Sequence, residues 1–158
     1  MPTQLEFDYY CDRPVPGMPL GYQARHRPVA EFVTLHNPSN PRKTYDLLNI
    51  TLDSGCEITL FYREIADVLA IDLISVQPTI WRGQSWQTWF GTVELESTDS
   101  NETFVWTATA SFVGFRKNLL GRRGCLEFLD AHFLGPARKV ILVATPTFPG
   151  TTTAPLET

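Results

Sequence analysis

Two neighbouring stretches alternate apolar and polar residues with a period of two, and this pattern constrains the fold more than any other feature. It runs through residues 88–96 and again through residues 103–113, where Phe104, Trp106 and Phe112 share one face. Because successive side chains of a strand point to opposite faces of a sheet, the alternation predicts two strands that each bury one face. The small polar residues at 97–101 predict the turn that joins them into a hairpin.

Further strands are predicted at short intervals along the chain. They cover residues 28–35, 48–52, 58–61, 76–81, 131–134 and 139–144. The spacing of Ile65 and Leu69 predicts a helix over residues 62–69, and residues 122–128 could form one or two helical turns. Many short strands separated by turn clusters predict a mainly all-β fold, a barrel or a sandwich, with one or two short helices.

Composition and length exclude several classes of protein. The chain has 158 residues, of which 43% are hydrophobic, so one domain with a substantial core is expected. The formal net charge of −4 argues against a nucleic-acid partner. No apolar run is long enough to span a membrane, and the first residues lack the features of a secretory signal.

The cysteines and histidines do not form a metal-binding or disulfide pattern. Cys11, Cys56 and Cys125 are widely spaced and odd in number, and the three histidines are scattered. We therefore predict no metal and no cofactor. A reducing compartment, the cytoplasm, is the expected location.

The chain divides into three parts by composition. Residues 1–27 are rich in Pro, Gly and aromatic residues and show no period, so they are interpreted as an N-terminal arm or a removable pro-segment. Residues 28–144 hold the predicted strands and form the folded domain. Residues 145–158 are rich in Pro and Thr and are predicted to be a disordered tail.

The triplet Asp53, Ser54 and Gly55 directly follows a predicted strand and is the only one of its kind in the chain. A carboxylate on a tight turn can act as an acid or a base towards water. Hydrolysis by carboxylates alone requires two of them to share one proton, because close like charges do not both ionise readily. The second carboxylate would have to come from a second copy of the chain. The alternative is an ordinary turn in which Asp53 binds its own backbone.

Three landmarks in order along the chain resemble the retropepsin-like aspartic proteases, single-domain relatives of pepsin that work as homodimers. Residues 52–57 resemble the family's Asp-Thr/Ser-Gly turn, and residues 83–89 resemble its flap hairpin. Residues 118–122, followed by residues 125–133, resemble the apolar-apolar-Gly-Arg run, the short helix and the final strand. The sequence departs from the family pattern at Cys56, at Glu57 and in a flap that is rich in Gln and Trp.

The resemblance implies a closed retropepsin-like acid-protease β-barrel over residues 28–144. It also implies an aspartic endopeptidase, acting as a homodimer on a peptide or protein substrate. Asp53, Ser54 and Gly55 would then be catalytic, with Ser54 bracing the two turns across the dimer axis. Glu57 and Arg122 would form a structural ion pair. The residues expected to bind substrate are Gly83, Gln84, Ser85 and Trp86.

Two other functions fit the same sequence. One is a non-catalytic peptide-binding or scaffold module on the same fold. The other is a generic β-barrel ligand binder with a tryptophan-lined pocket, which a large distance between Asp53 and Gly121 would favour. Trp86 is interpreted either as a substrate-covering residue or as a packed one, whereas Trp106 is expected in the core. The basic residues at 116, 117, 122 and 123 are interpreted as a solvated face with one structural arginine.

Overall fold

A computed structural model of the chain describes residues 3–12, 17 and 25–153, and over these residues the fold is mainly β. The strands are β1 (Gln4–Asp8), β2 (Tyr10–Asp12), β3 (Arg25–Arg27), β4 (Val29–Asn37), β5 (Asn40–Leu52), β6 (Leu60–Tyr62), β7 (Ile74–Trp81), β8 (Gln84–Thr98), β9 (Thr103–Val113), β10 (Leu119–Leu120), β11 (Leu129–Leu134), β12 (Lys139–Ala144) and β13 (Thr151–Thr153). One α-helix, α1 (Arg63–Leu69), and one 3-10 turn (Leu126–Phe128) complete the described elements. The prediction of a mainly all-β chain is confirmed.

The largest sheet has eight strands in the order β13-β9-β6-β10-β5-β4-β8-β7, and β8 also pairs with β9. The pairings therefore run in a ring from β9 through β6, β10, β5, β4 and β8 back to β9. Their apolar faces enclose the main core, which includes Ile50, Val93, Leu95 and Phe112. This ring holds the end of β5 and the short strand β10 side by side.

The predicted hairpin of residues 88–113 is confirmed. Strands β8 and β9 pair antiparallel in one continuous register, from Thr88 opposite Val113 to Thr98 opposite Thr103. Asp99 holds the connecting turn, since its Oδ1 accepts from the backbone N–H groups of Asn101 and Glu102 at 2.7 Å each. The alternating pattern predicts these strands correctly because each one buries a single face.

A second, three-stranded sheet has the order β1-β12-β11. Strand β1 pairs antiparallel with β12, and its Leu5 and Phe7 are fully buried in the main core. This placement differs from the expected N-terminal arm, because residues 4–8 are an integral strand whose apolar side chains the core requires. Most of the remaining predicted arm, residues 13–16 and 18–24, lies outside the described residues.

The end of the chain also differs from the predicted disordered tail. Phe148 packs against Phe104 and Trp106, with ring centroids 5.5 and 5.8 Å apart. Strand β13 then pairs with the first residues of β9. The Pro/Thr-rich composition is compatible with order here because one aromatic side chain anchors the segment. Residues 154–158 lie outside the described residues.

Helix α1 confirms the predicted helix to within one residue at its start. It buries Ile65 and Leu69, as the spacing predicts, and ends at Ala70 in the left-handed conformation, with φ of 54° and ψ of 43°. The second predicted helical segment is reduced to the 3-10 turn at Leu126–Phe128. Within the described part of the chain, no helix has the length and apolar character needed to cross a membrane.

Candidate active site

The acidic turn begins where β5 ends, and its backbone is tied to the neighbouring strand. The N–H of Asp53 donates to the Leu120 carbonyl oxygen at 2.9 Å, and the N–H of Cys56 closes the turn on the Asp53 carbonyl at 3.2 Å. The N–H of Gly55 donates to Asp53 Oδ1 at 3.0 Å. Asp53 itself is half-buried. One carboxylate oxygen is therefore oriented by the backbone, while Oδ2 accepts no hydrogen bond from any described residue.

Strand β10 brings the third predicted landmark, residues 118–122, to the acidic turn. It lies between β5, which it pairs with in parallel at Leu52, and β6, which it pairs with antiparallel at Leu60. The adjoining backbone continues the contact, because the N–H of Arg122 donates to the Cys56 carbonyl oxygen at 2.9 Å. Asp53 and Gly121 are thus close neighbours. The generic ligand-binder alternative, which a wide separation would favour, loses that support.

Gly121 occupies a position where only glycine fits. A Cβ there would collide with the carbonyl oxygen of Ile58 and would lie 2.8 Å from that of Cys56. The N–H of Gly121 donates to the buried Thr59 hydroxyl at 3.1 Å. The close packing of these backbones fixes the acidic turn against β10.

Ser54 and Gly55 are both exposed at the tip of the turn. The Ser54 hydroxyl has no hydrogen-bond partner among the described residues and is free to reach another molecule. A Cβ at Gly55 would lie 3.2 Å from Asp53 Oδ1, so glycine leaves room for the N–H to reach that oxygen. Phe133, on the outer strand β11, lines a shallow depression together with Asp53 and Ser54.

The tip of the β7–β8 hairpin lies at Arg82 and Gly83, at the start of the segment 83–89 that resembles a flap. Arg82 and Gly83 form the two-residue turn, with φ of 50° and 74°, and Gln84 and Ser85 belong to strand β8. Two successive residues with positive φ are typical of the tight hairpin turns that match strand twist. A turn beginning at residue 82 has little local signal in the sequence, because Arg is not a usual turn residue.

The side chain of Trp86 packs beneath the hairpin rather than standing free. Its ring meets the Phe115 ring edge-on at 5.2 Å, and Trp81 stacks on the same Phe115 at 5.4 Å. The Trp86 Nε1 atom is buried and has no hydrogen-bond partner among the described residues. The packed interpretation of Trp86 is therefore favoured. Trp106 lies in the main core as expected and donates from Nε1 to the Gly124 carbonyl at 2.7 Å.

One cleft of about 590 Å³ connects the acidic turn with the tip of this hairpin. Its lining includes Asp53 from the acidic turn and Trp81 and Arg82 from the hairpin. Most of its charged lining is basic, contributed by Arg25, Arg27, Arg82, Arg116 and Lys117, against the acidic Asp12 and Asp53. A cavity of about 640 Å³ beside β9 contains none of the predicted site residues, so its greater size does not make it the candidate site.

The basic character of this cleft differs from the prediction made from the sequence. The sequence predicts a solvated face for Arg116 and Lys117, and Arg82 belongs to no motif that would place it near Asp53. The position of residues 116 and 117, just before the landmark at residues 118–122, is the signal that could have placed them near Asp53. Arg27 could not be placed this way, because its contacts with Asn49 and Thr51 follow from the pairing of β4 with β5, which sets Val29 opposite Thr51.

The predicted ion pair between Glu57 and Arg122 is corrected. Glu57 pairs instead with Arg123, whose Nη2 lies 3.2 Å from Oε1. Ile58 and Arg123 form a parallel bridge, which places Arg123 rather than Arg122 beside Glu57. Both side chains are well exposed, 71% and 62%, so the pair contributes little to stability.

The cysteines differ in their surroundings. Burial raises the pKa of the Cys125 thiol to about 12, with a smaller contribution from the negative charge of Glu127. Cys56 is half-buried, and its Sγ donates to the Ile58 carbonyl at 3.3 Å. Within the described ranges, no three His, Cys, Asp or Glu side chains are grouped so that they could hold a metal ion.

Comparison with known proteins leaves the chain without an assigned family: no family model matches it, and no curated protein does either.

Proposed function

We propose that this protein is an aspartic endopeptidase of the retropepsin-like type, active as a homodimer. The observation that carries the proposal is the hydrogen bond from the Asp53 N–H to the Leu120 carbonyl, which fixes the acidic turn at the end of the parallel pair β5 and β10. The turn presents a half-buried carboxylate to a cleft that the β7–β8 hairpin also borders. The ring of paired strands corresponds, in this proposal, to the family's closed barrel.

Two Asp53 carboxyl groups, one from each chain, share a single proton and hold one water molecule. The ionised carboxylate removes a proton from the water as its oxygen attacks the scissile carbonyl carbon. The protonated carboxyl donates its proton to the carbonyl oxygen, giving a neutral tetrahedral diol. Collapse of the diol breaks the C–N bond as the proton taken from water passes to the leaving nitrogen. One diol hydroxyl becomes the new carbonyl and returns its proton to the other carboxylate, so the pair again holds one proton. Activity is therefore expected at acidic to mildly acidic pH, where the pair holds one proton.

The residues around Asp53 have positioning roles in this proposal. The Gly55 N–H orients Asp53 Oδ1, and the exposed Ser54 hydroxyl reaches the partner's turn across the dimer axis. The β7–β8 hairpin covers an extended substrate at its tip, Gly83. A peptide bound as an added strand obtains affinity from main-chain hydrogen bonds and selectivity from side-chain pockets.

The test is the Asp53→Asn variant. Asparagine keeps Oδ1 as an acceptor for the Gly55 N–H but cannot act as a base. We expect peptide cleavage to fall at least ~100-fold, while the urea unfolding midpoint and the sedimentation coefficient stay unchanged. Asp72→Asn is a matched control, because Asp72 is an exposed carboxylate that does not line the cleft. It should leave cleavage at the wild-type rate.

A broad peptide library read by mass spectrometry measures this cleavage. If the wild-type dimer cuts no peptide, or if Asp53→Asn cuts as fast as the wild type, the protein is not an aspartic endopeptidase. Peptide binding without cleavage would instead support the non-catalytic module.

A further inference from the structure

We infer that the cleft selects peptides carrying an acidic side chain close to the scissile bond. The inference rests on the proposed function and specifies its substrate class. It is carried by three cations, Arg82, Arg116 and Lys117, which we call the basic triad. All three line the cleft that contains Asp53.

Two separate parts of the chain contribute the residues of the basic triad. Arg82 is at the tip of the β7–β8 hairpin, whereas Arg116 and Lys117 belong to the connection from β9 to β10. The three residues and Trp81 also line a neighbouring cavity of about 500 Å³. Cations from two elements thus face the same space beside the candidate catalytic turn.

Two cations of the basic triad lie over aromatic rings. Trp81 is stacked on Phe115 with an interplanar angle of 14°. Lys117 Nζ lies 5.8 Å from the centre of the Trp81 ring, and the Arg116 guanidinium lies 5.7 Å from that of Tyr62. A cation over a ring keeps its N–H donors available to another partner, since the ring face accepts no conventional hydrogen bond.

No described carboxylate neutralises the basic triad. The ion pairs among the described residues include Arg27 with Asp12 and Arg123 with Glu57, but none involves Arg82, Arg116 or Lys117. The triad is thus a local concentration of positive charge on a chain of net charge −4. Cations that converge on a cleft attract an anionic ligand group and repel a cationic one.

A carboxylate side chain of a peptide suits this site better than a nucleic acid. The cleft has Asp53 and Asp12 on its walls as well as the basic triad, and these carboxylates would repel a continuous row of phosphates. A single Glu or Asp side chain places one negative charge at the triad while the peptide backbone passes Asp53. A lysine at the same peptide position would meet the triad as a like charge.

The experiment compares peptides that differ only in Glu, Gln or Lys at one position, moved in turn along each side of the cleaved bond. At pH 5.5 we expect kcat/KM for the best Glu peptide to exceed that of its Gln counterpart ~3- to 10-fold, with Lys lower still. Lowering the pH below about 3.5 should bring the Glu-to-Gln ratio close to one, because the substrate carboxyl, with a usual pKa of about 4.3, is then neutral.

Variants then assign the preference to the basic triad. The double variant Arg82→Gln and Arg116→Gln should reduce the Glu-to-Gln ratio at least ~2-fold towards one at pH 5.5, because two of the three attracting charges of the basic triad are removed. Arg42→Gln with Lys43→Gln removes two exposed charges near the start of β5, outside the cleft, and should keep the wild-type ratio. Equal ratios in the two double variants would overturn the inference.

A binding measurement separates failure of the inference from failure of the proposed function. Fluorescence anisotropy of the same peptides on the Asp53→Asn protein reports selectivity without any cleavage. If the wild-type protein cleaves no peptide but the Asp53→Asn protein binds Glu peptides more tightly than Gln peptides, the proposed enzymatic function is wrong and the preference for acidic peptides stands. Equal cleavage or equal binding of the Glu and Gln peptides would overturn the inference. Displacement of the labelled peptide by a single-stranded oligonucleotide at a lower concentration than an unlabelled Glu peptide requires would also overturn it.

Discussion

The geometry of the site depends on the absence of a side chain at Gly121. Its backbone lies against the carbonyl oxygens of Ile58 and Cys56, and its N–H is bound by the Thr59 hydroxyl. The same contacts hold β10 against the acidic turn. Stability and site geometry are therefore coupled at this residue.

Gly121→Ala should destabilise the protein by about 2–3 kcal/mol, because a methyl group there is overpacked against backbone that has no room to move. Urea unfolding followed by tryptophan fluorescence measures the change. Gly135→Ala is the control, since nothing lies within 4 Å of a Cβ at Gly135. Similar midpoints for the two variants would contradict the packing argument.

His36 introduces a pH dependence of stability. Burial of its ring lowers its pKa, but the hydrogen bond to Glu96, the Pro41 carbonyl and the charges of Glu96 and Glu94 raise it more, so the pKa lies above its ordinary 6.5. The two ring nitrogens lie 2.9 Å from Glu96 Oε2 and 3.3 Å from the Pro41 oxygen, a geometry in which the imidazolium donates from both.

A raised folded-state pKa contributes stability that is fully present below the unfolded pKa and is lost as the pH rises through the folded one. His36→Gln should therefore be less stable than wild type at pH 5.5, by about 0.5 kcal/mol because Glu96 is partly exposed, with a smaller difference at pH 8.5. Urea midpoints at both pH values test this. Glu96→Gln should show the same trend, and a gap that widens with pH would contradict it.

At the scale of elements, the backbone at the C-terminal end of helix α1 is strained, because the residue there is not glycine. Ala70 adopts the left-handed conformation that glycine normally occupies after a helix. Asn37, in the turn region of β4 and β5, donates from Nδ2 to the carbonyls of Leu69 and Ala70 at 2.9 and 3.1 Å. This contact keeps the helix end in place despite the unfavourable residue.

Ala70→Gly should stabilise the protein by about 0.5 kcal/mol. Glycine removes the energetic penalty of the left-handed conformation in the folded state, and the greater entropy of glycine in the unfolded chain offsets part of this gain. Ala137→Gly is the matched control, because Ala137 is exposed in a turn and has no positive φ. It should be neutral or destabilising. Thermal unfolding by circular dichroism compares the two, and a lower midpoint for Ala70→Gly would count against the strain.

At the scale of the whole molecule, the proposed reaction depends on two chains meeting at their acidic turns. Each chain offers one Asp53, so an inactive partner should disable the dimer it joins. The exposed Ser54 and the neighbouring Phe133 lie at the surface where such a partner would contact the turn.

Mixing wild-type chains with an equal amount of Asp53→Asn chains should reduce cleavage to about half of the starting total. Random exchange makes about one quarter of the dimers fully wild type. Because the mixture holds twice as many dimers as the wild-type sample did, about half of the original number of active dimers remains. The measurement is the initial rate after incubation that permits exchange of chains. Asp72→Asn chains serve as the control and should add activity. An unchanged rate in the Asp53→Asn mixture would mean that each chain acts alone.

Short segments of the sequence are enough to predict the local features of this protein. The alternation in β8 and β9, the i, i+4 pair in α1 and the position of the acidic turn after a strand are properties of short segments, and each segment shows them in its own residues. Which segments meet depends on tertiary packing. The insertion of β10 between β5 and β6, the pairing of β1 with β12, the choice of Arg123 as the partner of Glu57 and the basic lining of the cleft all join residues far apart in the chain. No local pattern specifies such contacts, because they depend on how the whole core packs.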